Sequence, residues 1–392
     1  MTRTYEIVSA DAHILEPPDI WSQWLAKKYQ DRAPKLVKDA EGGDAWLFAG
    51  FSDPDPIGLV ATPGLAYDEF RWTGITYERA RTGCYDGEAR LADMDTDGVD
   101  AEILFAPQRT IGHFLGDEDD DFVLAGVDAY NNFLREQFTA PDPTRLIGVG
   151  QIPSLGIDTA VDYLRKLKSQ GFKAVAISNW PSGGDSISDE DDPFWAAAAD
   201  EQVPVCIHIN LTSRAARLAA RKAKVSAGPL SSLAAERARA SRANAKAVAG
   251  LGSVFSTVPS TMGQLIFTGT FERHPGLHVA MIETGVGWIP HFLEQIDDRY
   301  WRNRAWGEIP LSQPPSYYWF RNMSATFITD RNGIENRHAV GLDNMMWSTD
   351  YPHHGNDWPY SRKTIMEMMG HIDVEERRRI CAGNAVRIFG LG

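Results

Sequence analysis

The stretch Val203-Pro-Val-Cys-Ile-His208 is a short apolar run, rich in β-branched residues, that ends in a histidine. Runs of this length and composition predict buried β-strands. It is the fifth of eight such runs, which lie at 6–10, 101–106, 146–151, 174–178, 203–209, 278–283, 324–328 and 345–349. Segments of helical character separate them, such as 158–170, which carries Leu164 and Leu167 on one face and stops at Gly171. Strands alternating with helices predict an α/β fold of the (β/α)8 TIM-barrel type.

A single decorated barrel accounts for the whole length of 392 residues, so we expect one domain over residues 1–392. Two insertions supply the residues beyond a bare barrel. The first, at about 17–85, follows the first strand and is rich in aromatic residues, so it should overhang the catalytic face as a lid or pocket wall, unless its aromatics only pack it against the barrel. The second, at about 210–250, follows the fifth strand and is rich in Ala, Arg and Lys, which favours helix.

The charge balance argues against several kinds of partner. With 39 basic and 53 acidic residues the net charge is −14, which is unlike a nucleic-acid-binding protein. The N-terminus lacks a signal-peptide pattern, and the uncharged stretch 247–271 contains too many polar residues and glycines to favour a membrane span. The cysteines Cys84, Cys206 and Cys381 are odd in number and far apart, which favours a reducing, cytoplasmic location.

Potential metal ligands stand where the predicted strands end. Asp11 and His13 are two residues apart at the end of the first strand, so their side chains can point to the same side. His208, Glu283 and Asp350 end the fifth, sixth and eighth strands. In a TIM barrel these ends converge on one face, and imidazoles with carboxylates suit Zn²⁺, Fe²⁺ or Mn²⁺. The sequence therefore predicts a metal site, with His208, Glu283 and Asp350 also serving catalysis.

Four further residues are candidates for the same site: Glu16, His291, His353 and His354. His291 lies about two helical turns beyond Glu283. The pair His353 and His354 could instead orient the ligands or bind substrate.

At these residues the chain resembles the amidohydrolase superfamily, in the amidohydrolase-2 branch that contains aminocarboxymuconate semialdehyde decarboxylase and related aryl acid decarboxylases. The matching motifs are SADAHILEPP at 9–18, ETGVGWIP at 283–290, WSTDYPH at 347–353 and GNAVRIFGL at 383–391. The resemblance implies metal ligands at Asp11, His13, His208 and Asp350. Glu283 departs from the pattern, because those decarboxylases usually carry a catalytic histidine after the sixth strand.

A carboxylate at that place could bridge to a second ion. The long form with Glu-x-Gly-x-x-Trp at 283–288 and the insertion after the fifth strand looks like the TIM-barrel non-haem diiron monooxygenases of platensimycin and platencin biosynthesis. That resemblance implies two Fe ions that hydroxylate an acyl-CoA substrate with O2. An external electron donor would be needed, because no flavin, nicotinamide or haem motif occurs. This diiron monooxygenase is our preferred interpretation. The alternative is a mononuclear Zn or Mn enzyme, either a hydrolase or a non-oxidative decarboxylase.

The basic insertion is a separate argument for a substrate that carries coenzyme A. Nine basic residues and one acidic residue lie between Thr212 and Gly250, a net +8, which leaves −22 for the rest of a chain of −14. We expect phosphate contacts from its first cations, namely Arg214, Arg217, Arg221 and Lys222. The alternatives are a solvated helix pair or a contact between the subunits of a homo-oligomer. The acidic run at 117–121 is interpreted as solvated loop or helix-start acids rather than a metal site.

Overall fold

The structure is a computed structural model that describes residues 3–226, 245–246, 249 and 254–392. Eight parallel strands form its barrel, which confirms the predicted (β/α)8 fold. They are Val8–His13 (β1), Ala101–Phe105 (β2), Leu146–Gly148 continued by Gly150–Gln151 (β3), Val175–Ile177 (β4), Val205–His208 (β5), Val279–Ile282 (β6), Met323–Phe327 (β7) and Met345–Trp347 (β8). The first strand lies further along the chain than predicted, so Asp11 and His13 belong to the strand itself.

Neighbouring strands pair in chain order around the barrel. The broken strand β3 pairs with β2 through its first half and with β4 through its second half. The barrel closes between β1 and β8. There the amide of Asp350 donates to the carbonyl of Asp11 at 3.0 Å, and the amide of His13 donates to the carbonyl of Tyr351 at 2.6 Å. The closing hydrogen bonds therefore fix the chain at the candidate metal ligands of both strands.

Helices connect the strands around the outside of the barrel. The α-helices are Ile20–Trp24 (α1), Gly87–Asp97 (α2), Gln108–Leu115 (α3), Asp120–Phe133 (α4), Ile157–Ser169 (α5), Asp192–Asp200 (α6), Arg214–Ser226 (α7), Val254–Phe267 (α8), Thr270–Arg273 (α9), Ile289–Asn303 (α10), Pro315–Asn322 (α11), Arg331–Glu335 (α12), Arg337–Val340 (α13), Ser361–Met369 (α14), Val374–Arg378 (α15) and Asn384–Phe389 (α16). Five 3₁₀ turns and two π turns complete them, at Lys27–Arg32, Gly58–Val60, Tyr67–Glu69, Thr82–Cys84, Asp189–Asp191, Leu134–Phe138 and Arg379–Gly383.

The amphipathic pattern that identified α5 describes its packing correctly. Leu164 and Leu167 are fully buried, and the chain leaves the helix through Gly171 at φ +94°, a conformation that favours glycine. Inside the barrel the side chains are mostly small or branched, such as Ala10, Ile103 and Ala280. A larger apolar layer fills the space between the strands and the helices.

The insertion after β1 contains a small antiparallel sheet of Lys35–Lys38, Asp44–Leu47 and Asp55–Pro56. Its aromatic residues divide into two groups. Trp21 and Trp46 are buried, and the Trp21 ring packs 4.9 Å from that of Phe114 in α3, whereas Tyr67 is 71% and Trp72 36% exposed. The buried group anchors the insertion, whereas the exposed group faces solvent.

The basic insertion begins with α7, in agreement with its helical propensity. Its later cations Arg237, Arg239 and Arg242 lie outside the described residues. None of the described helices is long and apolar enough to cross a membrane.

Candidate metal centre

Five polar side chains meet at the mouth of the barrel. The Nε2 atoms of His13 and His208 are 3.0 Å apart. Oδ1 of Asp11 lies 3.5 Å from Nε2 of His13 and 3.6 Å from Nε2 of His208. Oδ1 of Asp350 is 3.6 Å from Nε2 of His13, and Oε2 of Glu283 is 3.7 Å from Nε2 of His208. The strand ends thus bring together all five residues that the sequence singled out.

These spacings are those of ligands that share an ion. Two atoms that each lie about 2.1 Å from an ion are about 3.0 Å apart at a right angle and about 3.4 Å apart at a tetrahedral angle. The distances among Asp11, His13 and His208, from 3.0 to 3.6 Å, span this range. Two further groups of potential ligand atoms overlap with this one: His13 with Asp350 and His353, and Asp11 with Glu283 and Asp350.

The electrostatics of the centre call for a cation. Asp11 is fully buried, and neither of its carboxylate oxygens has a hydrogen-bond partner among the described residues. Burial raises the pKa of Asp11 to about 6 and that of Glu283 to about 7, although a nearby histidine lowers each of them. Burial also raises the pKa of Asp350 well above its ordinary value, and the charges of Glu283 and Asp11 add to the shift. An unpaired buried carboxylate is costly, so these residues fit a divalent metal ion.

The two histidines are in the form that binds metals. Burial lowers the pKa of His13 to about 4, with the charge of Asp11 opposing this shift, and it also lowers the pKa of His208. Both imidazoles are therefore neutral near pH 7. A neutral imidazole keeps a nitrogen lone pair available for an ion.

Strained backbone aims several of these side chains. Ile209, Glu283 and Asp350 have φ values of 60°, 57° and 58°, in the left-handed region that non-glycine residues rarely adopt. Such strain costs about 1–3 kcal/mol per residue and persists only where the surroundings hold it. The amide of Glu283 donates to Oγ1 of Thr326 on β7 at 2.7 Å, while that of Asp350 is held by the carbonyl of Asp11. The sharp turns follow β5, β6 and β8, where the chain leaves the barrel.

Of the four further candidates, only His353 joins the cluster. Its ring centroid lies 4.6 Å from that of His13. His291 and His354 are exposed and belong to none of the potential metal clusters within the described ranges. Glu16 is buried but stands outside those clusters as well, and its carbonyl accepts a hydrogen bond from the hydroxyl of Tyr77 at 2.5 Å.

A buried ion pair beneath the centre escaped the sequence analysis. The guanidinium of Arg90 in α2 is completely buried and donates to Glu102 at 2.6 Å, and to the carbonyl of His13 at 2.7 Å. It also lies 4.0 Å from the ring of Tyr351, the residue after Asp350. Arg90 therefore supports the backbone of β1 where the candidate ligands lie. One feature of the sequence could have indicated that Arg90 is buried. It lies four residues before Met94, so both side chains are on the same face of α2, and Met94 is buried.

The acidic run at 117–121 begins helix α4, as one of the two interpretations of the sequence expected: Asp119 caps the helix, and Asp120 and Asp121 lie in its first turn.

The run is not simply solvated, however. Three of the four proposed phosphate-binding residues pair with it: Arg214 with Asp120, Arg221 with Asp117 at 2.9 Å, and Lys222 with Glu118 at 2.7 Å. The fourth, Arg217, donates to the carbonyl of Ser178 at 2.9 Å. Three of the four cations expected to meet coenzyme A are thus paired with carboxylates in the described part of the chain.

Known proteins resemble this chain over most of its length. A family model described as amidohydrolase matches residues 10–391. Gamma-resorcylate decarboxylase of Rhodococcus jostii (strain RHA1) is 25% identical over 283 residues, which cover 67% of this chain and 75% of the relative.

Solved structures share the fold at lower sequence identity. An amidohydrolase from Mycobacterium avium subsp. paratuberculosis K-10 has a TM-score of 0.71 at 18% identity, over 99% of this chain and 98% of its own. 5-Carboxyvanillate decarboxylase from Sphingomonas paucimobilis has a TM-score of 0.62 at 18% identity, over 99% of both chains. A dihydroxybenzoic acid decarboxylase from Polaromonas sp. JS666, with bound manganese and the inhibitor 2-nitroresorcinol, has a TM-score of 0.63 at 16% identity, over 99% and 98%.

Proposed function

Because the family match spans nearly the whole chain, the protein belongs to the amidohydrolase family, and we propose that it is a non-oxidative decarboxylase of hydroxylated aromatic acids. As a member of that superfamily it is a metal-dependent enzyme. The proposed reaction is supported by the Rhodococcus relative, a gamma-resorcylate decarboxylase, and corresponds to the alternative reading of the sequence. A diiron monooxygenase, an acyl-CoA substrate and an electron donor find no support among these relatives, so we do not retain them.

The observation that carries the proposal is the buried, unpartnered carboxylate of Asp11 among neutral imidazoles at ligand spacing. We assign one ion to Asp11, His13, His208 and Asp350. Manganese is our choice, because dihydroxybenzoic acid decarboxylase of Polaromonas contains it. When bound, the ion supplies a positive charge that polarises a substrate oxygen and orients the acid.

Glu283 is our candidate for the proton transfer. When the carboxylate leaves as CO2, the electron pair of the broken C–C bond stays on the ring carbon, which must then take up a proton. Burial raises the pKa of Glu283 to about 7 in the protein without an ion, and a carboxyl group at this place can carry that proton. Its side chain is 28% exposed, compared with 4% for Asp350, so solvent can return the proton after each turnover.

The reaction is tested with metal-free protein that is reconstituted with Mn²⁺, Zn²⁺ or Fe²⁺. We expect CO2 release from 2,6-dihydroxybenzoate or 5-carboxyvanillate with Mn²⁺ and without O2 uptake. The substitution Glu283→Gln should abolish release while Mn²⁺ stays bound, whereas Asp11→Asn should lose both. Absence of CO2 release from both acids, or O2-dependent hydroxylation of an acyl-CoA, would overturn the proposal.

A further inference from the structure

A cavity of about 330 Å³ lies at the end of the barrel away from the metal centre. It is lined by His278, Phe320, Arg321, Asp343, Asn344 and Arg387. His278, Arg321 and Asn344 stand at or just before the starts of β6, β7 and β8, whereas the metal centre lies where the strands end. From His278 to Glu283 the chain advances five residues along β6, or about 16 Å at 3.3 Å per residue. We call this second site the basal cavity.

Two arginines give the basal cavity a positive charge. Nη2 of Arg321 donates to the carbonyl of Phe271, and Nη2 of Arg387 donates to the carbonyl of Asp343 at 2.6 Å. Neither guanidinium forms an ion pair with a carboxylate of the described residues. The carboxylate of Asp343, the acid of the lining, lies 3.2 Å from Nη1 of Arg379, which stands outside the lining. The positive charge of the two arginines is therefore not balanced within the described lining.

The guanidinium of Arg321 is held in place by its own helix, α11. It lies 5.0 Å from the ring centroid of Tyr317 and 5.3 Å from that of Tyr318, and its Nε donates to Oδ1 of Asn322 at 2.7 Å. An arginine that is already fixed loses less conformational freedom when it binds an anion. Phe320 of the same helix is 46% exposed, so an apolar group attached to the anion can pack on its ring.

His278 adds a neutral hydrogen-bonding group to the lining. Its Nε2 atom lies 2.9 Å from Oγ of Ser324, while Nδ1 has no hydrogen-bond partner in the part of the chain that the structure describes. Burial lowers the pKa of His278 to about 4, and the charge of Arg387 adds to this shift. The imidazole is therefore neutral near pH 7, and the positive charge of Arg387 lies close to it.

These groups favour a phosphate over a carboxylate. A phosphate monoester carries about 1.5 to 2 negative charges at pH 7 and has three acceptor oxygens, which suits two arginines on separate helices. A carboxylate carries one charge and two oxygens in one plane, which a single guanidinium can satisfy. We propose that the basal cavity binds the phosphate group of an organic phosphate, with Arg321 and Arg387 on its oxygens and Phe320 against its organic part. The site gives a role to Arg387 of the motif at 383–391, which the metal centre does not use.

The test measures binding of phenyl phosphate, inorganic phosphate and benzoate to Mn²⁺-loaded protein by titration calorimetry at pH 8. Arg387→Gln and Arg321→Gln should each weaken phenyl phosphate binding about 10- to 100-fold, the range for a lost hydrogen bond to a charged group, and Arg387→Lys should restore part of the loss. Phe320→Ala should weaken phenyl phosphate binding about 2- to 10-fold and leave inorganic phosphate unchanged. Any binding of benzoate should be the same in Arg387→Gln as in the wild type.

The matched control is Arg378→Gln. Arg378 is exposed, forms no ion pair within the described ranges, and lines a separate cavity beside Glu6, two residues before β1. It therefore lies on the same face of the barrel, and its loss should leave phenyl phosphate affinity unchanged. A second control, His208→Ala, removes a proposed Mn²⁺ ligand at the opposite face and should also leave that affinity unchanged.

Three results would overturn the inference. They are no detectable binding of phenyl phosphate, binding that survives both Arg387→Gln and Arg321→Gln, and loss of binding in His208→Ala, which would place the phosphate on the metal ion. Thermal melting establishes that each variant is folded, and if Arg387→Gln does not fold, Arg321→Gln and Phe320→Ala still decide the outcome. None of these measurements depends on CO2 release, so this inference and the proposed decarboxylation can fail separately.

Discussion

Gly355 stands against the carboxylate of Asp350, so an alanine at this position is a direct probe of the metal centre. A Cβ on Gly355 would lie 2.7 Å from Oδ2 of Asp350 and 3.1 Å from Cδ1 of Ile328. Ordinary van der Waals contact begins at 3.4 Å. The carboxylate would therefore have to retreat by about 0.7 Å, the difference between 3.4 and 2.7 Å, whereas a working metal site keeps its ligand distances within about 0.2 Å.

We expect Gly355→Ala to weaken Mn²⁺ binding about 10- to 100-fold, as does the loss of a group that orients a metal ligand. That corresponds to about 1.4–2.7 kcal/mol of binding free energy. The metal-free protein should keep its stability within about 1 kcal/mol, because the closest clash is with a side chain that can rotate and alanine restricts the unfolded chain. Equilibrium dialysis with metal analysis measures the affinity, and urea unfolding of metal-free protein measures the stability.

The matched control is Gly263→Ala in α8. A Cβ there would have nothing within 4 Å, so Mn²⁺ affinity should stay at the wild-type value. Wild-type affinity in Gly355→Ala would contradict the reasoning, because it would mean that the carboxylate of Asp350 does not need its present position to bind Mn²⁺. Weaker Mn²⁺ binding in both variants would mean that the effect is not local to Asp350.

Three other predictions concern the ion, its protons and its support. Wild-type protein saturated with Mn²⁺ should hold one ion per chain by elemental analysis, and His208→Ala should hold far less; two ions per chain would restore the dinuclear reading. Mn²⁺ affinity should rise between about pH 5 and 7, because the carboxylate of Asp11, with its pKa raised to about 6, binds a proton that competes with the ion. The increase in Tm on adding Mn²⁺ should therefore be larger at pH 8 than at pH 6, and a pH-independent increase would count against it. Arg90→Met should lower the free energy of unfolding by about 3–5 kcal/mol by leaving Glu102 buried without its partner, and the double variant with Glu102→Leu should recover part of the loss in urea unfolding.

The sequence predicted the barrel and the central side chains well because both follow from local patterns. An apolar run that ends in His208 or in Glu283 specifies a strand and its polar end, and barrel topology then brings separate ends together. His291 was misleading because two helical turns do not determine which way a side chain faces, and in α10 it is exposed.

The misread features depend on contacts between distant residues. Lys222 and Glu118 pair in the structure but are about a hundred positions apart in the sequence. Counting charges along the chain therefore predicted one basic and one acidic segment without showing that they contact each other. A charged residue such as Arg90 is expected on the exposed face of a helix. Its burial depends on the carboxylate of Glu102 in the neighbouring strand β2. Spacing along the chain carries no information about such pairs.

The geometry of the centre also explains why Glu283 need not signal a second ion. Two catalytic ions about 3.5–4 Å apart each need their own ligands in addition to any bridge. One ion at Asp11, His13, His208 and Asp350 leaves, among the clustered groups of the described residues, Glu283 and His353 for another. The carboxyl group of Glu283, whose pKa burial raises to about 7 in the protein without an ion, can instead carry a proton, as a histidine with its ordinary pKa of about 6.5 does. We therefore propose that Glu283 has an acid–base role beside a single ion.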